Sequence, residues 1–251
     1  MPPSSGGIEE GKEAVREPFE TVPVHIAVIM DGNGRWAEQK GFSRFKGHEQ
    51  GVETAEDIVT FCAEQGISYV TLYTFSLDNW KRPKNEITFL MKLLKKFLRT
   101  RIDMFTEHNI RFQAIGRIEM LDSSVQKEIA ALEKATADFK RMTLCLALSY
   151  GGREEIVDAA KEICRRAEKG EMDPEGLTPE LFEECMQTSM VPNPDILIRT
   201  GSEMRLSNFL LWQVSYTELF FTDTMWPDFS VDEISSIIRE YGRRERRFGG
   251  V

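Results

Sequence analysis

His25-Ile-Ala-Val-Ile-Met30-Asp31-Gly32-Asn33-Gly34-Arg35-Trp36-Ala37 is the stretch on which the fold class of this chain turns. His25 to Met30 is a short apolar run with β-branched members and no polar alternation, the pattern of a strand buried on both faces. Glycines at 32 and 34 let the chain reverse tightly, and a helix-compatible segment follows. Strand, glycine turn and helix together open a parallel βαβ unit, whose helix start favours an anion.

The same alternation continues outward. Apolar, strand-like runs recur at Tyr69 to Phe75, Ile110 to Ile115, Thr143 to Ser149, Asp195 to Arg199 and Glu218 to Phe221. Between them the spacing predicts helices at Glu49 to Gln65, Glu86 to His108, Asp122 to Phe139, Arg153 to Lys169, Thr178 to Met186 and Val231 to Arg247. An α/β fold follows: a single domain over 22–251, with a mostly parallel six-stranded sheet flanked by helices and joined by right-handed crossovers. Residues 1–21, rich in Gly, Ser, Pro and Glu, read as a flexible tail without the apolar core of a signal peptide. Lys169 to Pro179 is a polar surface connection, not a domain boundary.

Composition narrows the function. Of 251 residues, 41 are Asp or Glu and 32 Lys or Arg, a net charge of −9 that argues against nucleic-acid binding. Cys62, Cys145, Cys164 and Cys185 show no CxxC spacing and read as buried reduced thiols of a cytoplasmic protein. No run reaches the ~18 apolar residues of a membrane span. With histidine only at 25, 48 and 108, neither HExxH nor a multi-histidine zinc site exists, and Walker and G-x-S-x-G motifs are absent.

In open parallel sheets ligands sit at the carboxyl ends of the strands, so three loops carry the chemistry. After the first strand, Gly32, Gly34 and Ala37 formally match a dinucleotide fingerprint. However, the acid expected about 20 residues on is not at a strand end, and Arg35 and Trp36 crowd a pyrophosphate. Asp31 beside Arg35, with Arg44 and His48 following, instead suits a diphosphate held with Mg²⁺; the alternative is a turn with solvated charges. After the second strand comes Phe75-Ser76-Leu-Asp-Asn79-Trp80-Lys-Arg82-Pro83, an amphipathic loop or a second wall of that site. The third loop, from Asp195 through Arg199, Arg205 and Ser207 to Glu218, offers a second anion pocket, or else structural pairs of Arg199 or Arg205 with Glu203. Glu218 could reach the same metal as Asp31. The apolar stripe Ile87, Leu90, Leu94, Phe97, Leu98, Ile102 and Phe105 is either core packing or the lining of a greasy tunnel.

Asp31-Gly-Asn-Gly-Arg35-Trp36, Arg44 with Gly47-His48, Phe75-Ser76 with Asn79-Trp80 and Arg82-Pro83, Ser149-Tyr-Gly-Gly-Arg153, and Asp195 through Glu218 together resemble the cis-prenyltransferases from about His25 to Gly250. Trp226-Pro227 and the closing Arg243-Arg-Glu-Arg-Arg-Phe-Gly249 belong to the same resemblance. It implies sequential cis condensation of isopentenyl diphosphate onto an allylic diphosphate such as farnesyl diphosphate. The expected product is long, of the undecaprenyl carrier-lipid class used in cell-wall biogenesis. The implied enzyme is an Mg²⁺-dependent homodimer in the cytoplasm, touching membranes only peripherally.

Carried over residue by residue, Asp31 is the essential carboxylate and a metal ligand. Asn33, Gly34, Arg35 and Arg44, with His48 beside them, cradle the allylic diphosphate, and Gly32 and Trp36 are counted among the substrate-binding residues. Ser76 and Asn79 assist proton loss, Phe75 and Trp80 position the chain, and Arg82 contacts phosphate. Arg199, Arg205 and Ser207 hold isopentenyl diphosphate, and Glu218 helps with metal. This chain departs from the family's pattern at Ser202, where a glycine is usual, and at Met204, where some members carry histidine. DDxxD, the mark of trans-prenyltransferases, is absent. Two rival readings are a non-catalytic partner subunit, opposed by the presence of Asp31, Arg35, Arg199 and Arg205, and a dinucleotide-dependent oxidoreductase resting on Gly32 and Gly34 alone.

Overall fold

The computed structural model describes residues 19–244. Most of the expected tail and the end of the C-terminal arginine stretch, with Arg246, Arg247 and Gly249, lie outside the described residues. Six strands form one sheet: β1 (His25–Ile29), β2 (Tyr69–Ser76), β3 (Ile110–Ile115), β4 (Met142–Tyr150), β5 (Ile196–Arg199) and β6 (Glu218–Phe221). Their order is β3-β4-β2-β1-β5-β6, and every neighbouring pair is parallel. The helices are α1 (Asn33–Gln39), α2 (Arg44–Glu64), α3 (Lys84–Thr100), α4 (Ile102–Glu107), α5 (Ser123–Ala135), α6 (Gly152–Glu168), α7 (Pro179–Glu184) and α8 (Val231–Arg243).

Unbroken apolarity in β1 has a direct cause, because successive side chains enter different cores. Ile26 and Val28 join a cluster with α2, α3, α5 and α8, while Ala27 and Ile29 join Cys145, Tyr150, Phe209 and Leu210 on the opposite face. From β1 the chain moves to β2 on one side and later returns to β5 on the other. The crevice outside the carboxyl ends of β1 and β5 is therefore the topological switch point.

Three expectations change. The helix expected over Glu86 to His108 is broken at Arg101, which has φ −103° and ψ 15° and reaches across to Glu56 of α2 at 2.7 Å, so a separate α4 starts at Ile102, which is left exposed. The packed fold also begins before residue 22. Phe19 lies edge-on to Phe61 with ring centroids 6.4 Å apart, and the Arg239 guanidinium sits over the Phe19 ring. A phenyl ring left in water would forfeit that burial. Cysteine burial is mixed: Cys62 and Cys145 are buried, with burial pushing their thiols up to about 12, whereas Cys164 is exposed on α6.

Candidate active site

β1 delivers its chain to a turn built around Asp31. The Asp31 N–H donates to Thr200 Oγ1 at 2.9 Å, and that hydroxyl donates back to the Asp31 carbonyl at 2.7 Å, binding the ends of β1 and β5 to each other. Gly32 follows at φ +105° with its Cα against Met225, where a Cβ would come within 2.9 Å of the methionine side chain. Glycine alone suits both the dihedral and the space.

The Asp31 carboxylate is the hub of the site. Oδ1 accepts from the Gly32 N–H at 2.7 Å and lies 3.2 Å from Arg35; Oδ2 accepts from Arg199 Nη2 at 2.9 Å. Partial burial pushes the carboxyl up, but the Arg199 hydrogen bond, the Arg35 charge and the Gly32 N–H outweigh it and hold the pKa below the usual carboxylate value. Asp31 is ionised at neutral pH.

Arg199, only 3% exposed at the end of β5, also donates through Nη1 to Ser207 Oγ at 2.8 Å and to the Arg205 carbonyl. The Arg205 side chain pairs with Glu203. The alternative reading of this loop as ion pairs is thus true of Arg205, while Arg199 turns inward to Asp31. Gly201, at φ +80°, leaves room for Arg35, whose Nη2 would lie 2.7 Å from a Cβ there.

A second group of cations gathers on Glu86 of α3. Its Oε1 accepts from Arg82 at 2.9 Å and stands 3.6 Å from His48 Nε2, and its Oε2 is 3.9 Å from Arg44 Nε. Arg44, also paired with Glu38 at 2.8 Å, lies over Gly34, where a Cβ would meet the guanidinium at 2.7 Å. Burial and then the Arg82 charge pull the His48 pKa to about 4, against the raising influence of Glu86. Sequence reading missed Glu86 as a site residue; the i, i+4 spacing of Arg82 and Glu86 was the available signal.

Asp31, Gly32, Asn33, Gly34, Arg35, Arg44, His48, Phe75, Ser76, Asn79, Arg82, Arg199, Arg205 and Ser207 all border one cavity of about 490 Å³, with Leu90, Met91, Leu94 and Phe97 of α3 on its apolar side. The α3 stripe thus serves both readings, since Leu94 is also core. Ser76 and Asn79 form a reciprocal capping box. The Asn79 N–H donates to Ser76 Oγ at 3.2 Å, and the Ser76 N–H donates to Asn79 Oδ1 at 3.0 Å. The Asn79 amide oxygen is therefore engaged in shaping the loop.

Three expected site residues do not border the cavity. Trp36 turns into the packing of α1, with Phe42 at 6.1 Å and Lys40 over its ring, because its helical position points away from Asp31. Trp80 stands behind Phe75, edge-on at 5.2 Å, and its Nε1 donates to Ser149 Oγ at 3.1 Å. Glu218 does not join Asp31 on a metal within one chain. It opens β6 level with Ile196, three residues below Arg199, which is about 10 Å of strand, and it pairs with Arg244 at 2.6 Å.

This geometry has close relatives. The family model described as "Putative undecaprenyl diphosphate synthase" matches residues 29–249. An isoprenyl transferase of Oceanobacillus iheyensis is 43% identical over 240 residues, covering 96% of this chain and 95% of that protein. That of Aquifex aeolicus is 44% identical over 230 residues, covering 92% and 97%. Among solved structures, lavandulyl diphosphate synthase from Lavandula x intermedia in complex with dimethylallyl diphosphate superposes with a TM-score of 0.89 at 36% identity, covering 91% of this chain and 99% of that one. A "probable undecaprenyl diphosphate synthase" from Campylobacter jejuni gives a TM-score of 0.75 at 37% identity with the same coverage. With this match in sequence and fold across nearly its whole length, the chain belongs to the undecaprenyl diphosphate synthase family of cis-prenyltransferases.

Proposed function

We propose that the enzyme adds isopentenyl diphosphate repeatedly, with cis geometry, to an allylic diphosphate such as farnesyl diphosphate, giving a long polyprenyl diphosphate of the undecaprenyl carrier-lipid class. One observation carries this reading. An ionised Asp31 is shared by Arg35 of α1 and Arg199 at the end of β5, two separate elements that meet at the polar mouth of a single cavity with an apolar side. Two diphosphates and one hydrocarbon chain suit such a mouth.

In this reading the allylic diphosphate lies against the Gly32–Arg35 turn, Arg44, His48 and Arg82, and isopentenyl diphosphate lies against Arg205, Ser207 and Arg199. Breaking the allylic C1–O bond leaves its electron pair on the departing diphosphate, whose charge falls to the guanidinium groups of Arg35 and Arg44. The isopentenyl C4 then bonds to C1, and the proton on C2 passes to an oxygen of the departing diphosphate, leaving the new C2=C3 double bond. Asn79 and Ser76 orient that unit, since an amide whose oxygen already accepts a hydrogen bond is no base.

Among the described residues no three His, Cys, Asp or Glu side chains cluster as a metal cage. A lone ionised carboxylate fits Mg²⁺, which is commonly held by one or two carboxylates and substrate phosphates. Asp31 would hold it, and its chemistry is to neutralise charge on the diphosphate.

We extend the reading to a homodimer through the β6 edge, where Met204 and Tyr216 are exposed and Leu219 is partly so. Among the described residues no helix is long and apolar enough to cross a membrane. A cytoplasmic enzyme meeting the bilayer peripherally accords with that.

The test is incubation of the full chain with farnesyl diphosphate, labelled isopentenyl diphosphate and Mg²⁺, followed by product sizing. A ladder ending in long products is expected. No incorporation, or a product stopping after one condensation, would overturn the reading.

A further inference from the structure

Ser149-Tyr150-Gly151-Gly152-Arg153, running from the end of β4 into α6, supplies no wall of the cavity, yet its backbone bonds directly to the loop that carries Arg205 and Ser207. The Gly152 N–H donates to the Asn208 carbonyl at 2.7 Å, and the Arg153 N–H donates to Asn208 Oδ1 at 2.9 Å. Asn208 Nδ2 donates in turn to Glu154 Oε2 at 2.9 Å. One asparagine from a distant loop thereby takes up two N–H groups and a carboxylate at the start of α6, groups that the helix itself leaves unpaired.

The two glycines make the approach possible. A Cβ at Gly151 would fall 2.7 Å from Asn208 Nδ2 and 2.2 Å from Glu154 Oε2, and one at Gly152 would meet Leu211 at 3.0 Å. The loop it receives is held in a costly shape. Ser207, Asn208 and Leu210 have φ of 49°, 64° and 42°, left-handed values that residues with a Cβ adopt only when their surroundings enforce them. Phe209 between them is fully buried, stacked on Tyr73 with centroids 4.4 Å apart, and the Tyr73 hydroxyl donates to the Tyr150 carbonyl at 3.1 Å. Just beneath, Glu155 is buried and accepts from Tyr150, Gln213 and Thr188, closing the far side of the loop.

We infer that Asn208, clamped between the Gly152-Arg153 backbone and Glu154, is a positioning residue that fixes the loop carrying Arg205 and Ser207. This assignment of purpose rests on the reading of that loop as the isopentenyl diphosphate pocket. Neither Asn208 nor Glu154 borders the cavity. They act through Ser207, whose hydroxyl and carbonyl must meet Arg199 and Tyr73 at fixed places.

The pair permits a swap test on the full chain. Asn208→Asp keeps the acceptor for Arg153 but sets two carboxylates against each other; adding Glu154→Gln returns a donor to the pair in the opposite sense. Amide hydrogen exchange over residues 205–210 is expected to speed up in Asn208→Asp and to return towards the parent rate in the double variant. Kinetics should show the KM for isopentenyl diphosphate raised about tenfold in Asn208→Asp, the allylic KM nearly unmoved, and the double variant within about threefold of the parent. Should Asn208→Asp fail to fold, Glu154→Ala removes only the acceptor and must show the same exchange signature in weaker form. Unchanged exchange, or a double variant no better than Asn208→Asp, overturns the seat. Altered exchange with the allylic KM moving instead keeps the seat and overturns the pocket assignment. Exchange is read without substrate, so the two failures are separable.

Discussion

Asp31 holds Arg35 and Arg199 on one carboxylate, and removing it has two separable consequences. Asp31→Ala takes away the carboxylate between Arg35 and Arg199, so kcat is expected to fall by about a thousandfold or more. It also strands the buried Arg199 guanidinium, and the melting temperature should drop by a few degrees. Asp31→Asn preserves the shape and should lose turnover with a smaller thermal penalty. Near-parent turnover in either variant, measured by label incorporation, contradicts the role of Asp31. Ser202 makes the opposite case. It stands where the family usually has glycine, and its φ is +66°, so the turn does demand the left-handed conformation and the serine bears the strain. Ser202→Gly should stabilise the chain by about 0.5–1 kcal/mol after the extra freedom of glycine in the unfolded state is subtracted, which thermal denaturation would register as roughly 2 °C. A lower melting temperature would show that the serine hydroxyl makes up the difference.

At the scale of elements, what could be read from the chain depended on how local the cause was. The central strands β1 and β4 were legible because burial on both faces leaves a nearly uninterrupted apolar run, as in Ile26 to Ile29, whereas β3 and β6 at the sheet edges carry exposed positions and were marked by their short β-branched or aromatic runs. The start of α2 at Arg44, five residues before the expected Glu49, was hidden because its first turns carry Arg, Lys, His and two glycines in place of apolar periodicity. The break between α3 and α4 was hidden because Glu56, which draws Arg101 away, belongs to another helix. The site divides in the same way. Asp31 and Arg35 are sequence neighbours, and strand ends brought Arg199 to them. The Glu86 pairing with His48 and Arg44 and the Asn208 seat depend on contacts between remote segments that no spacing encodes. Glu218 was placed with Asp31 because both follow or open strands of the same sheet and because the resemblance gives it a metal role, and within one chain strand register separates the two. For α3 itself, the apolar side of the cavity yields a prediction: Leu90→Trp adds bulk where the product chain would extend. Shorter products at near-parent first-condensation rates are expected on thin-layer sizing, and an unchanged ladder would show that the chain does not run along α3.

For the molecule as a whole, two buried histidines, one at the end of the sheet opposite the site and one in it, shape how the fold responds to acid. His25, 1% exposed at the start of β1, is bonded to the Pro192 carbonyl through Nδ1 at 2.6 Å and to Thr71 Oγ1 through Nε2 at 2.8 Å, so it joins β1, β2 and the approach to β5. Burial, only partly opposed by the Pro192 bond and the charge of Asp195, lowers its pKa to about 4. Between that value and the ordinary 6.5 the unfolded chain binds the proton and the folded chain does not. Stability is therefore fully present above pH 6.5 and declines as pH falls towards 4. From pH 7 to pH 5 this group alone should cost about 2 kcal/mol. His48, also held near 4, slopes the same way, whereas Asp31, shifted below its usual value, acts only at lower pH. Urea denaturation at pH 7 and pH 5 of the parent, His25→Asn and His48→Asn separates them. His25→Asn should be less stable at pH 7 yet show a clearly flatter loss on acidification. His48→Asn should flatten the slope too, and its remaining dependence should vanish when both histidines are replaced. If His25→Asn keeps the full acid slope, the buried imidazole is already protonated in the folded chain, and the acid sensitivity of the fold must come from elsewhere among its 41 carboxylates.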